Sequence, residues 1–388
     1  MTARGKDRAG RSEPDRASGQ GRDNREKRFV LTPASKIRPE NPRWAWEGRI
    51  PLKAVSLLIG PPGLGKSTVQ AMLAAQLTRG EAPGEFHGKP VKVVMVSAED
   101  SAASTIRPRL EAAGADLARV LLLTVEIDDA TGMMALPSDV KRLRNALRRV
   151  RARVLFIDPL VAYLDEGVDS YKDQHVRRVI AMLTQMAEEL GVAINAVMHL
   201  NKKETQDILA RISGAGGFGA AARSVLAVGR DPNDPDRARG GMRVIAHVKC
   251  NVGPQLPSLA AHIEPVALPH AGEDVLTSRL VLDGESPVEG AELLLAAISS
   301  DERLAREEAA DFLREQLANG REVRASELLS RAKDELDVSA NTLRRAKKEV
   351  GVRTREVRGN TGSYWVWFIP PPDVANAAEP KKRRKRGR

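Results

Sequence analysis

A glycine-rich segment of the sequence, GPPGLGKST at residues 60–68, has the residue types and the spacing to bind phosphate. It matches the pattern G-x-x-x-x-G-K-[ST], whose backbone N–H groups cradle the phosphates of a nucleotide. An apolar run at 55–59 precedes it and a helical pattern at 66–78 follows it. The segment therefore leads from a strand into a helix N-terminus, where the helix dipole favours anions. The sequence predicts a loop that binds the phosphates of ATP.

Two magnesium ligands are predicted beside this loop. In the pattern, the hydroxyl of Ser67 coordinates magnesium and Lys66 reaches the β- and γ-phosphates. Asp158 ends the apolar run at 153–157. Ligands bind at such strand ends in open α/β sheets, so Asp158 is the second predicted magnesium ligand. The predicted nucleotide-binding residues of the loop are Gly60, Gly63, Gly65, Lys66, Ser67 and Thr68.

ATP hydrolysis also needs a group that activates the attacking water. Many ATPases carry a glutamate directly after the aspartate of this motif, but here Pro159 follows Asp158. Glu99 follows the apolar run at 91–96 and would lie at the same edge of the sheet as the loop if its strand is adjacent. We predict that Glu99 is the catalytic base. A solvated acidic turn is the alternative, because Asp100 comes next.

Short apolar runs alternate with helical patterns from Phe29 to about residue 284. This alternation predicts an α/β domain at 29–284, with a mostly parallel sheet that helices cover on both faces. After it, the patterns predict a hairpin preceded by three helices, near 290–318, 324–336 and 339–350. That order is typical of a winged helix-turn-helix, so we expect a small winged-helix-like α+β domain at 285–372. It would bind duplex DNA or, alternatively, another protein.

The net charge of +11 is concentrated at the two ends of the chain. Residues 1–28 carry +4 and residues 381–388 carry +7, so the part between them is neutral overall. We expect 1–28 and 373–388 to be disordered basic tails that bind phosphate backbones without reading sequence. A solvated tail without a partner is one alternative, and a nuclear localisation signal at 381–388 is another.

The predicted DNA-recognition helix, at 339–350, is also basic. Residues 338–358 carry +5, and four of these charges belong to Arg344, Arg345, Lys347 and Lys348. In a winged helix this helix enters the major groove and the hairpin lies beside the phosphate backbone. The alternating aromatic residues of the hairpin are expected to pack it rather than to stack on bases; they are Trp365, Trp367 and Phe368.

The cysteine content and the hydropathy bound the compartment. The single cysteine, Cys250, excludes an intramolecular disulfide and a cysteine-rich metal site. No apolar run reaches ~18 residues, and the first residues lack the apolar segment of a secretory signal. We therefore expect a cytoplasmic protein that does not enter a membrane.

Several motifs occur together in the order of a known family. They are GPPGLGKST, VSAEDS, VLFIDPL, MHLNKK, SGAGGFGAAARSV and HVKCNVG, spread over residues 45–265. In these motifs the chain resembles the RecA-like P-loop ATPases, specifically the RepA-type hexameric helicases of plasmids and phages and their AAA_25 relatives. Two positions depart from the family pattern: Met198 replaces the first of two histidines, and Ser213 replaces an arginine.

The resemblance implies roles for individual residues. Glu99 corresponds to the catalytic glutamate, His199 to a histidine that senses the γ-phosphate, and Arg223 to an arginine finger that reaches the neighbouring subunit's nucleotide. Lys249 and Asn251 fall where relatives offer a second positive charge to the nucleotide. From the residues alone, His199 could equally be a core histidine and Arg223 a surface arginine. Residues 213–222 could be a loop facing a central pore or a flexible linker.

The resemblance also implies a function and partners. It implies a homo-oligomer, expected to be a hexamer, that binds ATP and Mg²⁺ and translocates on or unwinds DNA in plasmid, phage or mobile-element replication. Single-stranded DNA would pass through the ring pore, and the C-terminal domain would bind duplex DNA. The alternatives are a recombination- or repair-type ATPase or helicase loader, and a DNA-binding replication or partition regulator that ATP switches.

Overall fold

The computed structural model describes residues 29–127, 130–199, 217–235, 241–270, 272–336, 338–359 and 362–370. The predicted basic tails at 1–28 and 373–388, and residues 213–216 of the predicted pore loop, lie outside these ranges. Residues 29–41 belong to a unit of their own, with exposed side chains and a short 3-10 helix at Ala34–Lys36. The other elements belong to the second unit, which begins at Pro42.

Most strands of the second unit belong to one sheet. The strands are β1 (Trp44–Trp46), β2 (Ile50–Pro51), β3 (Ala54–Gly60), β4 (Val93–Ser97), β5 (Val120–Leu122), β6 (Val125–Ile127), β7 (Ala130–Gly132), β8 (Val154–Asp158), β9 (Ala193–His199), β10 (Ser224–Arg230), β11 (Arg243–Cys250), β12 (Ser258–His270), β13 (Glu273–Ser286), β14 (Val323–Arg324), β15 (Arg353–Gly359) and β16 (Gly362–Phe368). The helices are α1 (Lys66–Arg79), α2 (Arg107–Ala112), α3 (Val140–Val150), α4 (Asp173–Leu190), α5 (Gly217–Ala221), α6 (Gly290–Gln316), α7 (Ala325–Leu336) and α8 (Ala340–Val350).

The large sheet has nine strands in the order β13-β12-β11-β10-β3-β9-β8-β4-β5. The six strands from β10 to β5 are parallel, and the strands from β11 to β13 are antiparallel. The predicted α/β class with a mostly parallel sheet is therefore confirmed. The strand before Glu99 is not adjacent to the strand before the phosphate-binding loop, because β9 and β8 lie between β4 and β3. All parallel strands nevertheless end at one edge of the sheet, so Glu99 still reaches the loop.

The sheet is buried on both faces because its central strands are continuous apolar runs. Every residue of β3 is buried. Val55, Leu57 and Ile59 pack with α3 and α4 on one face, whereas Leu58 packs with α1 on the other. This alternation along one strand anchors the phosphate-binding loop between two apolar clusters.

Strands β12 and β13 form a long hairpin, which we call the ribbon. Only Leu259–Ala261 of β12 pairs with β11, so the rest of the ribbon leaves the sheet as two strands. Leu280 of the ribbon is buried in the same apolar cluster as α1 and α2. The ribbon therefore packs across the helix that follows the phosphate-binding loop.

The C-terminal part has its own apolar cluster, built from α6, α7, α8 and the sheet β14-β16-β15. The three helices and the hairpin predicted from the sequence are present in that order. Helix α6 spans two cores, since Leu293 and Leu294 pack in the core of the large sheet and Leu313 packs in the C-terminal cluster. The predicted domain boundary after residue 284 lies inside β13. In the described part of the chain, no helix has the length and the apolar content to cross a bilayer.

Candidate active site

The phosphate-binding loop connects β3 to α1 and depends on its glycines. Gly63 and Gly65 have φ angles of 73° and 90°, which side chains larger than hydrogen disfavour. At Gly60 an added Cβ would lie 2.3 Å from the Val228 carbonyl oxygen of the adjacent strand. The loop therefore passes close to β10 and turns into α1 with its backbone N–H groups directed at one point.

Lys66 is the first residue of α1 and is 5% exposed. Its Nζ donates hydrogen bonds to the carbonyl oxygens of Gly60 at 3.0 Å and Pro61 at 2.7 Å. Burial lowers the pKa of Lys66 to about 8, although the carboxylates of Asp158 and Glu99 oppose the shift. A buried cation held only by neutral carbonyls at the mouth of an N–H cradle suits an anionic ligand such as a triphosphate.

Ser67 and Asp158 form the predicted magnesium site. The Ser67 hydroxyl donates to Asp158 Oδ2 at 2.5 Å, and Asp158 is 9% exposed at the end of β8. Burial raises the pKa of Asp158, and the hydrogen bond from Ser67 opposes that shift. Both groups supply oxygen, the element that Mg²⁺ prefers, and Mg²⁺ normally takes one or two protein ligands together with phosphates and water. The two side chains therefore fit a magnesium ion that bridges protein and nucleotide.

Glu99 and His199 lie together where β4 and β9 end. The distance from His199 Nε2 to Glu99 Oε1 is 3.8 Å, and the Glu99 side chain is 62% exposed. Burial and the nearby Lys66 lower the pKa of His199, although Glu99 opposes the shift. His199 Nδ1 is buried without a hydrogen-bond partner among the described residues. The pair thus combines an accessible carboxylate with a histidine that favours its neutral form.

These residues line one cleft of about 330 Å³. The predicted residues that it brings together are Gly63, Gly65, Lys66, Ser67, Thr68, Glu99, Asp158 and His199. Gly60 lies at the start of the loop, and its carbonyl holds Lys66. The cleft thus joins a phosphate cradle, a cation site and a carboxylate that faces solvent.

Comparison with known proteins agrees with this geometry. Residues 23–205 match the family model AAA_25, described as an AAA domain. The chain carries a RecA-like P-loop ATPase domain. No curated protein matches the chain. Among solved structures, one described as an ATPase domain is similar with a TM-score of 0.40 and 16% identity, over 54% of this chain and 81% of that one.

Sequence reasoning missed three residues of the ATPase cleft. Arg109 of α2 lines it, with Nη1 2.7 Å from Asp100 Oδ2. Ile263 and Ser278 line it from the ribbon, and Ile263 Cδ1 lies 2.9 Å from the position of a Cβ added to Gly65. A basic residue on an amphipathic helix is not distinctive in a sequence. The ribbon was missed because two prolines interrupt the pattern of β12.

Arg223 and Lys249 do not line the cleft of their own ATPase domain. Arg223 directly precedes β10, is exposed, and donates its backbone N–H to the Val55 carbonyl oxygen at 2.9 Å. The Lys249 ammonium donates to three carbonyl oxygens at the end of α5, those of Gly219, Ala220 and Ala222. Both residues lie where β3 and β10 begin, whereas the phosphate-binding loop lies where β3 ends.

Proposed function

We propose that this chain is an ATP-hydrolysing, ring-forming DNA helicase or translocase of the RepA type that acts in plasmid, phage or mobile-element replication. The observation that carries the proposal is the separation of Arg223 from the phosphate-binding loop. β10 and β3 are parallel and pair Ser224 with Ser56, so Arg223 lies at the opposite end of β3 from Gly60. An arginine finger at that position would act on the nucleotide of a neighbouring subunit.

The distance between the two ends of the strand supports a shared site. Five residues separate Val55 from Gly60, and a parallel strand rises ~3.3 Å per residue, so the gap along the strand is about 16 Å. The side chain of Arg223 cannot reach the cleft of its own chain across the sheet. A ring or filament would bring it to the exposed cleft of the next subunit, beside Glu99.

In the proposed reaction, each described side chain has one task. Glu99 orients the attacking water and takes its proton, and Lys66 neutralises charge on the transferred phosphoryl group. Ser67 and Asp158 would hold Mg²⁺, which bridges the phosphate oxygens when it is bound. His199, 3.8 Å from Glu99, is positioned to respond to the γ-phosphate. Arg223 of the next subunit stabilises negative charge in the transition state.

Mixed assemblies test the shared site. Lys66→Ala and Arg223→Ala proteins should each lack ATP hydrolysis, with losses of ~10³-fold or more for the finger. A ring that contains both variants should regain hydrolysis, because an Arg223→Ala subunit keeps Lys66 and its Lys66→Ala neighbour keeps Arg223. The measurement is the ATPase rate against mixing ratio, with mixed assembly verified by native mass. No recovery at any ratio would contradict the shared site.

The DNA activity needs a separate measurement. Multiple-turnover unwinding of a forked duplex, driven by ATP, is the outcome expected of a helicase. ATPase activity without unwinding would favour the loader or recombination alternative. Tight binding to one duplex sequence without unwinding would favour the regulator.

A further inference from the structure

The hairpin β15–β16 exposes one tryptophan and buries another. Trp367 is 5% exposed and Trp365 is 55% exposed. Side chains two residues apart on a strand point to the same face, so both rings belong to the face that packs on α8. The Lys347 ammonium lies 4.5 Å from the centroid of the Trp367 ring and donates to the Thr354 hydroxyl. Helix α8 therefore covers this face at Trp367 and leaves it open at Trp365.

Trp365 lies on the part of the hairpin that extends past its third strand. β14 pairs with β16 only at Val366 and Trp367. Residues nearer to the turn, including Trp365, pair with β15 alone. The other tryptophans, Trp44, Trp46 and Trp367, are all buried. The sequence predicted that Trp365 packs inside the hairpin, but it presents a large aromatic surface to solvent.

The surroundings of this ring are basic. Residues 338–358, which include α8 and most of β15, carry +5, with the carboxylate of Glu356 counted. Glu356 pairs with Trp365, and Arg358 lies two residues further along the same face, opposite Ser363. Exposed aromatic rings beside clustered cations are the combination that binds single-stranded nucleic acid: the bases stack on the rings and the phosphates contact the cations.

We propose that Trp365 is a stacking platform for an unpaired base of single-stranded DNA, and that the basic residues of α8 and β15 hold the adjacent phosphates. The inference rests on the proposed DNA-dependent function. It assigns the C-terminal part a junction between duplex and single strand as its substrate, instead of duplex DNA alone. Stacking does not depend on sequence, because every base has an aromatic face.

The test uses the full chain without nucleotide and compares two DNA probes of equal duplex length, one blunt and one with a thymidine overhang. Trp365→Ala should weaken binding to the overhang probe about tenfold or more and leave binding to the blunt probe unchanged. Trp365→Phe should keep most of the affinity because it keeps an aromatic ring. The salt dependence of binding should not change, since no charge is removed. Leu276→Ala, which truncates an 81% exposed apolar residue on the ribbon, is the matched control.

Intrinsic fluorescence gives a readout at the site itself. Oligothymidylate should quench the tryptophan emission of the wild-type chain, and Trp365→Phe should abolish that quenching. This measurement decides the matter if Trp365→Ala fails to fold. Absence of quenching, or equal weakening of both probes by Trp365→Ala, would overturn the proposal and favour a protein partner on this surface. If the wild-type chain binds neither probe, the proposed DNA function fails as well; binding that ignores Trp365 overturns this inference alone.

Discussion

At the scale of single residues, hydrolysis depends on a carboxylate that is accessible and close to the phosphates. Glu99→Gln should keep ATP binding and lower the hydrolysis rate by ~10²-fold or more, because an amide of the same shape cannot accept the proton of water. The measurements are the ATPase rate and the Kd of ATP. Glu273→Gln, at the exposed tip of the ribbon, is the control. Hydrolysis at the wild-type rate would place the base elsewhere.

A second prediction at this scale concerns stability in acid. His247 is 5% exposed, accepts the Leu256 N–H at Nδ1 and lies 3.2 Å from the Ser224 hydroxyl at Nε2. Burial, assisted by the nearby charge of Arg49, lowers the pKa of His247 to about 4. The folded state then binds fewer protons than the unfolded state below the ordinary pKa of ~6.5, so stability decreases as the pH falls from 6.5 to 4.

From this group alone, the free energy of unfolding should decrease by roughly 3 kcal/mol over that range. His247→Gln offers similar hydrogen-bonding groups that do not titrate, so its stability should depend less steeply on pH. Urea unfolding of both proteins between pH 4 and 7 measures the difference. Parallel stability curves would show that His247 is not held neutral by the fold.

At the scale of elements, the ribbon affects nucleotide binding because Ile263 lies against the loop at Gly65. Ile263→Ala should raise the KM for ATP several-fold and change kcat less, since the contact is present before and during the reaction. Leu276→Ala on the same ribbon, outside the cleft, should change neither constant. Steady-state kinetics of the three proteins make the comparison. A fall in kcat with KM unchanged would contradict this role for the ribbon.

The elements also show what the sequence could reveal. The phosphate-binding loop and the parallel strands were predictable because buried parallel strands are continuous apolar runs between glycines and helices. The order of the strands was not, so the separation of β4 from β3 by two strands had no local signal. The ribbon escaped detection because Pro265 and Pro269 interrupt β12 and many of its residues are half exposed. Arg109 reaches the cleft only through tertiary packing.

At the scale of the whole molecule, charge is unevenly distributed and predicts how DNA binding depends on salt. Residues 381–388 carry +7, and each phosphate neutralised on duplex DNA contributes about 0.9 to the slope of log affinity against log salt. Deleting this tail should flatten the slope by several units and weaken binding to all duplex sequences alike. A chain with eight neutral residues in its place controls for length. An unchanged slope would show that the tail has another partner.

Helix α6 has a mechanical consequence. Its 27 residues form one continuous helix about 40 Å long, with each end embedded in a different apolar core. A flexible linker would absorb a small displacement as slack, whereas a helix clamped at both ends resists bending and torsion. Leu293 packs directly against Gly229 of β10, the strand that follows Arg223. Any rotation of that strand between nucleotide states would therefore turn the C-terminal part through the same angle, and a lever of this length converts a few degrees at the core into several ångströms at its far end.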